Sequence, residues 1–470
     1  MYLRLRTGIL AGLGRRGQPV ISRGSGSGLR AVLGWRFSGG AARVARRIVR
    51  EGMWVGIGQA ATAAGALAGL KILTSLLPAD EYGRFALLLG LVAFGLGAAA
   101  HPLMQTILRF FPEFAERDQV GALRTHASRL LVRWVGAIAV VLAIGGALWS
   151  RVRPADLTTA AAGLAGGYLL AESWRLFESA LLNSDRRQRD WALRNTADAW
   201  GKPLAAAALI VALGRSAASV FLGYAAASVA VTFALRGRTV RASPGAAAPD
   251  PAWLAEQRLG FRAFVLPLVP LAVLSWIMSL GDRYVLAPLA GPAAVGVYAA
   301  GYALASQPFI AANAVVHSTL RPVLYEAVSR GDLAKERRTL RVWLAIVAGI
   351  SLTGVVGFTV LAPVLVRLFL GPAFGAAAEL IPWLALAYAL QNVQQTFEVI
   401  MYAHRRTRAL AALQAVAAVV ALALYVVLIP KFGALGAAWG TLGTFLVTAI
   451  VAAFLARAPR RLGFVPEASR

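Results

Sequence analysis

Two long apolar segments, residues 53–77 and 85–108, follow one another and are separated by a tight turn at Pro78–Arg84. Each is longer than the roughly 20 apolar residues that an α-helix needs to cross a bilayer. Polar side chains nevertheless lie within them: Gln59, Lys71, His101, Gln105 and Arg109. The last three recur every four residues and share one helix face. Because a cation at the centre of a membrane costs about 2.5–3.5 kcal/mol, the pattern predicts a polar cavity between helices.

Segments of the same kind continue along the chain. The 470 residues are 58% hydrophobic, with a mean hydropathy of +0.65, which excludes an ordinary soluble protein. We predict an all-α polytopic integral membrane protein with about twelve transmembrane helices. After the opening pair, the predicted spans are 130–149, 157–183, 191–213, 217–235, 261–287, 293–325, 342–370, 377–402, 410–429 and 434–455.

The basic residues are distributed like those of a bacterial membrane protein. The net charge is +27, and arginines concentrate in every second connection and in both tails. This positive-inside pattern predicts a bacterial cytoplasmic (inner) membrane protein with both termini in the cytoplasm, and it disfavours nucleic acid as a partner. The chain has no cysteine, and its four histidines are far apart. We therefore predict no disulfide, no metal site and no cofactor.

The breaker residues Pro244, Pro249 and Pro251 mark the longest interior connection. Two turn signals recur at one spacing, because Arg186 and Arg405 are 219 positions apart, as are Gly214 and Gly433. Repeats of six spans each have the same orientation, which places their symmetry axis along the membrane normal. The predicted organisation is a basic tail (1–51), a six-helix lobe (52–235), a cytoplasmic linker (236–259), a second lobe (260–456) and a short basic tail (457–470).

Several motifs carry a resemblance to a known family. They are KILTSLLP at 71–78, EYG at 81–83, QTILRFFPE at 105–113, GDRY at 281–284, GVY at 296–298 and IPKFGALGAA at 429–438. In their order and spacing the chain resembles the polysaccharide biosynthesis proteins that flip lipid-linked oligosaccharides, within the multidrug/oligosaccharidyl-lipid/polysaccharide (MOP) flippase superfamily. The resemblance covers residues 54–455. It implies two six-helix lobes around a central cavity, alternating access and transport rather than enzymatic catalysis. The long N-terminal tail is not part of that pattern.

The cargo implied by this resemblance is a polyprenyl pyrophosphate carrying a short glycan. Its pyrophosphate needs cations in a partly dry site, and its sugars need amide and hydroxyl partners. The predicted substrate-binding residues are Lys71, Arg109, Arg175, Lys202, Arg283, Arg321, Gln391 and Gln394. The candidate ion-coupling residues are His101, Glu172 and Asp198.

Most of these residues also have a purely structural interpretation. Asp198 and Lys202 are spaced to pair with each other along one helix. The group Glu172, Arg175 and Glu178 shares a helix face and can pair with the fifth span. Lys71 can reach the membrane surface, Arg109 can be an ordinary cytoplasmic-side residue, and buried glutamines often link helices.

The leading functional hypothesis is transport of the lipid-linked glycan for cell-surface or exopolysaccharide synthesis, with membrane lipids and polysaccharide polymerase and export proteins as partners. The chain has no Walker A sequence, so it does not use ATP by that route. The alternatives are a cation-coupled multidrug exporter, a membrane-embedded polysaccharide polymerase or ligase, and a scaffold that no longer transports. Short external loops argue against the enzyme, and the mixture of charges within the spans favours an anionic cargo over a cationic drug.

Overall fold

The chain folds into long helices that run back and forth. The computed structural model describes residues 39–152, 159–239 and 250–457, and every regular element in these ranges is a helix. Most of the two predicted tails, residues 1–38 and 458–470, lies outside the described residues. The helices of the first half are α1 (Gly39–Leu76), α2 (Ala79–Gly95), α3 (His101–Glu116), α4 (Val120–Val152), α5 (Thr159–Ser184), α6 (Gln188–Leu213) and α7 (Ala217–Ala234).

The second half begins at α8 and contains two helices that fold back on themselves. Its helices are α8 (Pro251–Val265), α9 (Leu268–Ser329), α10 (Leu333–Phe369), α11 (Ala377–Ala403) and α12 (Thr407–Arg457), with 3-10 turns at Arg236–Arg238 and Pro372–Phe374. The backbone of α9 reverses at Gly291 (φ 78°), and that of α12 reverses at Gly433 (φ 55°). Both angles lie in the left-handed region that glycine tolerates without strain.

Twelve antiparallel segments result from this arrangement in the described ranges. The helices α2 and α3 form one continuous segment, and α8 forms another with the first part of α9, interrupted at Leu266–Pro267 because proline has no N–H to donate. Seven continuous helical stretches among the described residues are long and apolar enough to cross a membrane. The prediction of an all-α membrane protein with about twelve spans is confirmed.

The segments alternate between two ends of the molecule, which we name after one turn on each. The Pro78 end carries the turns near residues 78, 215, 291, 371 and 433. The Arg186 end carries those near residues 118, 186, 331 and 405. Hydrogen bonds across turns support the grouping, since the Ala217 N–H donates to Glu81 Oε2 at the Pro78 end (2.8 Å). From Met53 onward the chain forms one compact unit.

The internal repeat is visible in the backbone. Arg186 and Arg405 both have a left-handed φ, 58° and 56°, and each follows a helix end closed by the same pair of hydrogen bonds. Asp118 and Gly331 form an equivalent pair, with φ of 57° and 69°, but they are 213 rather than 219 positions apart. The predicted repeat is confirmed. The second half has six more residues between its turns at Gly331 and Arg405 than the first half has between Asp118 and Arg186.

A local irregularity separates α2 from α3. Residues Leu96–Ala100 form a π-helical turn in which the His101 N–H donates to the Leu96 carbonyl, five residues earlier. Pro102 follows directly, has no N–H to donate, and clashes with the carbonyl one turn before it. The proline therefore explains the wide turn, and π-turns of this kind are frequent at functional positions.

The connection between the halves is shorter than the sequence predicts. Residues 236–259 are predicted as linker, but α8 already begins at Pro251. The Asp250 carboxylate accepts a hydrogen bond from the Ala252 N–H (3.1 Å), and proline suits the first helical position. Phe261 of α8 is buried against Phe110 of α3, with 5.7 Å between ring centroids, so this end of the second half packs on the first.

Candidate functional site: charged clusters, a closed seam and a polar cavity

The first half encloses a cluster of four charged side chains from α5 and α6. Lys202 Nζ lies 2.8 Å from Glu172 Oε2 and 2.6 Å from Asp198 Oδ2. Arg175 Nη2 lies 2.6 Å from Glu172 Oε1, and its Nε lies 3.1 Å from Asp198 Oδ1. The side chains of all four are at most 12% exposed. We call these four residues the charge cluster.

Neutral groups complete the hydrogen bonding of the charge cluster. The Ser228 hydroxyl of α7 donates to Glu172 Oε2 (3.0 Å), and Arg175 Nη1 donates to Asn195 Oδ1 (3.0 Å). Two carboxylates balance two cations, so the charge cluster is neutral as a whole and joins α5, α6 and α7. The structural interpretation of the Asp198–Lys202 spacing is therefore observed, and Glu172 and Arg175 do pair with the fifth span.

Glu178 does not pair with the fifth span, which is the partner that the sequence suggests for it. Instead of reaching the fifth span, its carboxylate accepts two hydrogen bonds from Arg124 of α4, one of them 3.1 Å long. Glu178 is 2% exposed. It faces α4 because the helix turns by about 100° per residue, so a position six residues after Glu172 no longer shares its direction.

At the Pro78 end, Lys71 crosses from the first half to the second. Its ammonium donates to the carbonyl oxygens of Arg367 (3.2 Å), in the last turn of α10, and Leu370 (2.6 Å), the residue directly after α10. Beside it, the Gly371 N–H donates to Thr74 Oγ1 (3.1 Å). A cation at the C-terminus of a helix stabilises the partial negative charge there. Lys71 thus ties the two halves together.

The backbones of the two halves also approach each other closely next to this tie. The start of α2 packs on the part of α9 that follows Gly291, with Gly83 against Pro292 and Gly296 against Ala79, backbone to backbone. Further along, the Tyr284 hydroxyl donates to the Leu87 carbonyl (2.6 Å), and Trp276 Nε1 donates to the Gly90 carbonyl (2.7 Å). We call the contacts of Lys71, Thr74 and α2 with the second half the seam. The seam closes the Pro78 end.

Asp282 and Arg283 lie near the seam but do not pair through their side chains. The Asp282 carboxylate is 1% exposed and accepts hydrogen bonds from the Tyr298 hydroxyl and the Arg283 backbone N–H. Thr441 Oγ1 and the Tyr425 hydroxyl extend this network. The Arg283 guanidinium instead lies over the Tyr302 ring, 5.1 Å from its centroid. Within the described ranges, no cation forms an ion pair with Asp282.

The second half contains a polar cavity of about 170 Å³ between α9 and α11. Arg321, one of the predicted substrate-binding residues, lines it. The other lining residues are His317, Tyr325, Gln395, Glu398, Val399 and Tyr402. Asn313 Nδ2 donates to Gln395 Oε1 at its edge (2.6 Å), while the buried His317 Nε2 has no hydrogen-bond partner among the described residues. This polar cavity offers a cation, an amide, a carboxyl group and two phenols.

The predicted glutamines lie in two different settings. Gln394 is 2% exposed; its amide donates to Glu398 Oε1 (3.0 Å) and its carbonyl accepts from Thr448 of α12 (2.6 Å). It therefore links α11 to α12, as the structural interpretation has it. Gln391 is half-buried one turn away on α11.

The polar stripe of the second span is exposed over its whole length. His101, Gln105 and Arg109 are all exposed, whereas the opposite face of α3 buries Leu103, Ile107 and other apolar residues. Arg109 forms an ion pair with Glu113 one turn on (2.6 Å). His101 lies within electrostatic range of Glu172, and so the stripe begins near the charge cluster.

Of the eleven predicted site residues, His101 and Arg109 lie on the exposed stripe and Gln391 and Gln394 lie along α11. The other seven lie in three places. Arg175, Lys202, Glu172 and Asp198 come together in the charge cluster; Lys71 and Arg283 lie at or near the seam; and Arg321 lies in the polar cavity. Sequence reasoning missed Tyr325, Tyr402 and Asn313, whose residue types carry no signal until α9 and α11 are packed. The described residues include no group of three or more histidines and carboxylates suited to hold a metal ion.

Comparison with known families bears on the same region. Residues 169–379 match the family described as "Polysaccharide biosynthesis protein". This match confirms the predicted resemblance to polysaccharide biosynthesis proteins over that segment. The matched segment holds the charge cluster, Arg283 and Arg321. Among curated proteins, no sequence matches the chain.

Solved structures show the fold. An inward-facing multidrug resistance MATE transporter of the MOP superfamily has a TM-score of 0.68 at 13% identity, over 84% of this chain and 94% of that one. The lipid II flippase MurJ, in an inward closed conformation, also has a TM-score of 0.68 at 13% identity, over 87% and 88%. An outward-facing MATE transporter has a TM-score of 0.57 at 15% identity, over 87% and 94%. The chain has the twelve-helix fold of MOP superfamily transporters.

Proposed function

We propose that this protein moves a polyprenyl-diphosphate-linked oligosaccharide across the bacterial cytoplasmic membrane, for the synthesis of a surface or secreted polysaccharide. One observation carries the proposal. The segment that matches polysaccharide biosynthesis proteins holds the cationic side chains of Arg283 and Arg321 and the amide of Asn313 inside the fold of a MOP transporter. The mechanism is alternating access, in which the two halves part at one end while they close at the other.

The state seen here supports that mechanism. The seam closes the Pro78 end. Arg321 and the polar stripe from His101 to Arg109 lie between the seam and the Arg186 end, and they remain exposed. The connections of the Arg186 end are rich in arginine, so we place that end in the cytoplasm, together with both termini. The cargo then enters from the cytoplasmic leaflet, where lipid-linked glycans are assembled.

The polar cavity suits the headgroup of such a cargo. The Arg321 guanidinium can form two parallel hydrogen bonds with a phosphate, and His317 has an unused ring nitrogen beside it. Gln395, Tyr325 and Tyr402 supply the amide and aromatic groups that sugars contact. The cavity of about 170 Å³ holds one such group at a time, and the lipid tail stays in the bilayer.

The charge cluster has a different role in this proposal. Arg175 and Lys202 already have two carboxylates each, so a diphosphate would have to displace Glu172 or Asp198. We assign the charge cluster to the packing of the first half. Asp282 is the better candidate for ion coupling, because its buried carboxylate accepts a hydrogen bond from the Tyr298 hydroxyl and forms no ion pair with a cation of the described residues.

The protein is proposed to act without enzymatic catalysis, with membrane lipids and the polymerase and export proteins of the same glycan as partners. The test uses purified protein in liposomes that contain a fluorescent polyprenyl-diphosphate disaccharide. Transfer between leaflets is followed by the accessibility of the fluorophore to a membrane-impermeant quencher. We expect the wild type to move the probe, Arg321→Gln to lose at least tenfold in rate, and Arg338→Gln, an exposed arginine at the Arg186 end, to match the wild type.

A cation-coupled exporter is the second candidate, favoured by Glu398 beside Tyr325 and Tyr402 in the same cavity. A carboxylate between aromatic rings suits a lipophilic cation. Glu398→Gln separates the two functions. It abolishes drug efflux from inverted vesicles if this candidate is correct, and it leaves glycan-lipid transfer near the wild-type rate if the flippase proposal is correct.

A further inference from the structure

A second basic cavity lies outside all the groups described so far. It has a volume of about 180 Å³ and lies between α4 and α8, near the Arg186 end. Arg129 and Arg133 line it from α4, and Arg258 and Arg262 line it from α8. Each pair is spaced i, i+4 and therefore shares one helix face. His126 and Leu130 complete the lining.

The four arginines have no protein counter-charge in the described part of the chain. No carboxylate there forms an ion pair with Arg129, Arg133, Arg258 or Arg262, and all four are exposed. The cations of the charge cluster, by contrast, each contact two carboxylates. The buried His126 Nε2 has no hydrogen-bond partner within the described ranges, and the ring packs edge-on against Phe261, with 5.5 Å between ring centroids. Four guanidinium groups around one cavity repel each other, and an anion bound between them would neutralise this repulsion.

The position of the cavity along α4, relative to the lipid bilayer, indicates which anion is available to it. The helix has 33 residues and is therefore about 50 Å long, about 20 Å longer than the hydrocarbon core of a bilayer. Arg129 and Arg133 lie in the part of α4 nearest the Arg186 end, next to Trp134, and tryptophan concentrates at the level of the lipid headgroups. We propose that this cavity binds the phosphate of an acidic phospholipid headgroup.

The lining favours a phospholipid over the cargo. It offers only guanidinium groups, one imidazole and one leucine, with none of the amide and phenol groups that Arg321 has around it. Basic pockets between helices on the cytoplasmic side are a recurrent form of headgroup site. The pocket also joins α4 of the first half to α8 of the second. A bound phosphate therefore stabilises the arrangement of halves seen here.

Native mass spectrometry of the purified full-length protein tests the proposal. The protein is titrated separately with phosphatidylglycerol, phosphatidylcholine and a polyprenyl diphosphate. The variant Arg129→Gln/Arg262→Gln removes one cation from each helix. The control Arg337→Gln/Arg341→Gln also removes two exposed arginines, both from the part of α10 that lies at the Arg186 end. Because all of these side chains are exposed, we expect both variants to fold, as checked by unchanged elution and helical circular dichroism.

The expected result is that wild type and control retain phosphatidylglycerol at least tenfold more than phosphatidylcholine, and that Arg129→Gln/Arg262→Gln loses this preference. Arg129→Lys/Arg262→Lys should recover part of it, since the charge remains but the bidentate geometry does not. The proposal fails if the control variant loses the preference equally, if neither variant does, or if only the polyprenyl diphosphate depends on these arginines.

Discussion

Gly83 and Gly296 lie against each other across the seam, and their surroundings are reciprocal. A side-chain carbon on Gly83 would overlap the Pro292 carbonyl oxygen, and one on Gly296 would overlap the Ala79 carbonyl oxygen. Each contact joins a glycine to the residue four positions before the other glycine. The two helices therefore meet through an approximate twofold symmetry between the repeats. Small residues permit this approach, as they do in other membrane helix pairs.

Substitution of Gly83 by alanine should therefore open the Pro78 end. The methyl group cannot share space with the Pro292 carbonyl, so the start of α2 must move away from α9. Because the chain contains no cysteine, Arg215→Cys and Leu289→Cys place spin labels only at two exposed turns of this end, one in each half. We expect pulsed electron–electron double resonance to show a longer distance between the two labels in Gly83→Ala than in the labelled protein without this substitution.

The matched control for that experiment is Gly136→Ala, because no atom lies within 4 Å of a side-chain carbon at Gly136. This variant has the same gain in helix propensity, about 1 kcal/mol, but no clash. Its label distance should equal that of the labelled protein without either alanine. An unchanged distance in Gly83→Ala would show that the seam tolerates the methyl group, and that it does not limit opening.

Lys71→Met should weaken the seam without a steric clash. The loss of two charge-assisted hydrogen bonds to the Leu370 and Arg367 carbonyls is worth about 1–3 kcal/mol. We expect the same pair of labels to report a larger open fraction. Lys431→Met is the control, since Lys431 is exposed beside the Gly433 turn. Equal distributions of the label-to-label distance in the two variants would show that Lys71 does not hold the two halves together.

The charge cluster should show strong coupling between its members. Lys202→Met leaves the excess negative charge of Glu172 and Asp198 buried, which costs about 3–5 kcal/mol. Glu172→Gln/Lys202→Met removes one charge of each sign and keeps the Arg175–Asp198 pair at 3.1 Å. We expect thermal unfolding in detergent to show a large fall in Tm for the single variant and a partial recovery for the double variant.

Additive effects on Tm would contradict this interpretation, since independent sites add and members of one network do not. The same variants also bear on transport. If Lys202→Met keeps a wild-type Tm but loses glycan-lipid transfer, Lys202 binds cargo, as the sequence-based hypothesis holds, and the assignment of the charge cluster to packing is wrong.

The sequence predicts the architecture because membrane spans are set by local composition. Length and apolarity place the segments, and the glycines and prolines at Gly433, Gly291–Pro292 and Pro267 mark where the chain turns or bends. The Asp198–Lys202 pair can also be predicted from the sequence, because residues four positions apart on a helix are neighbours whatever the tertiary structure. These predictions depend only on residues close together in the chain.

The partners of Lys71 and Glu178 could not be predicted in this way. Lys71 bonds to the Leu370 carbonyl, 299 positions away, and Glu178 bonds to Arg124, 54 positions away. Both depend on which faces of packed helices meet. The polar cavity has the same origin, since Arg321 stands out in the sequence, but Tyr325 and Tyr402 become site residues only when α9 packs against α11.

Asp282→Asn should uncouple transport from its driving gradient without unfolding the protein. Asparagine has the same shape and can still accept the Tyr298 hydroxyl hydrogen bond, but it cannot carry the charge that attracts a cation. In liposomes with an imposed pH or sodium gradient, we expect the wild type to accelerate when the gradient is applied. Asp282→Asn should keep its slow rate without a gradient and gain nothing from one. Glu172→Gln is the comparison, because its carboxylate is already neutralised by Arg175 and Lys202. If Glu172→Gln loses the response and Asp282→Asn keeps it, coupling belongs to the charge cluster.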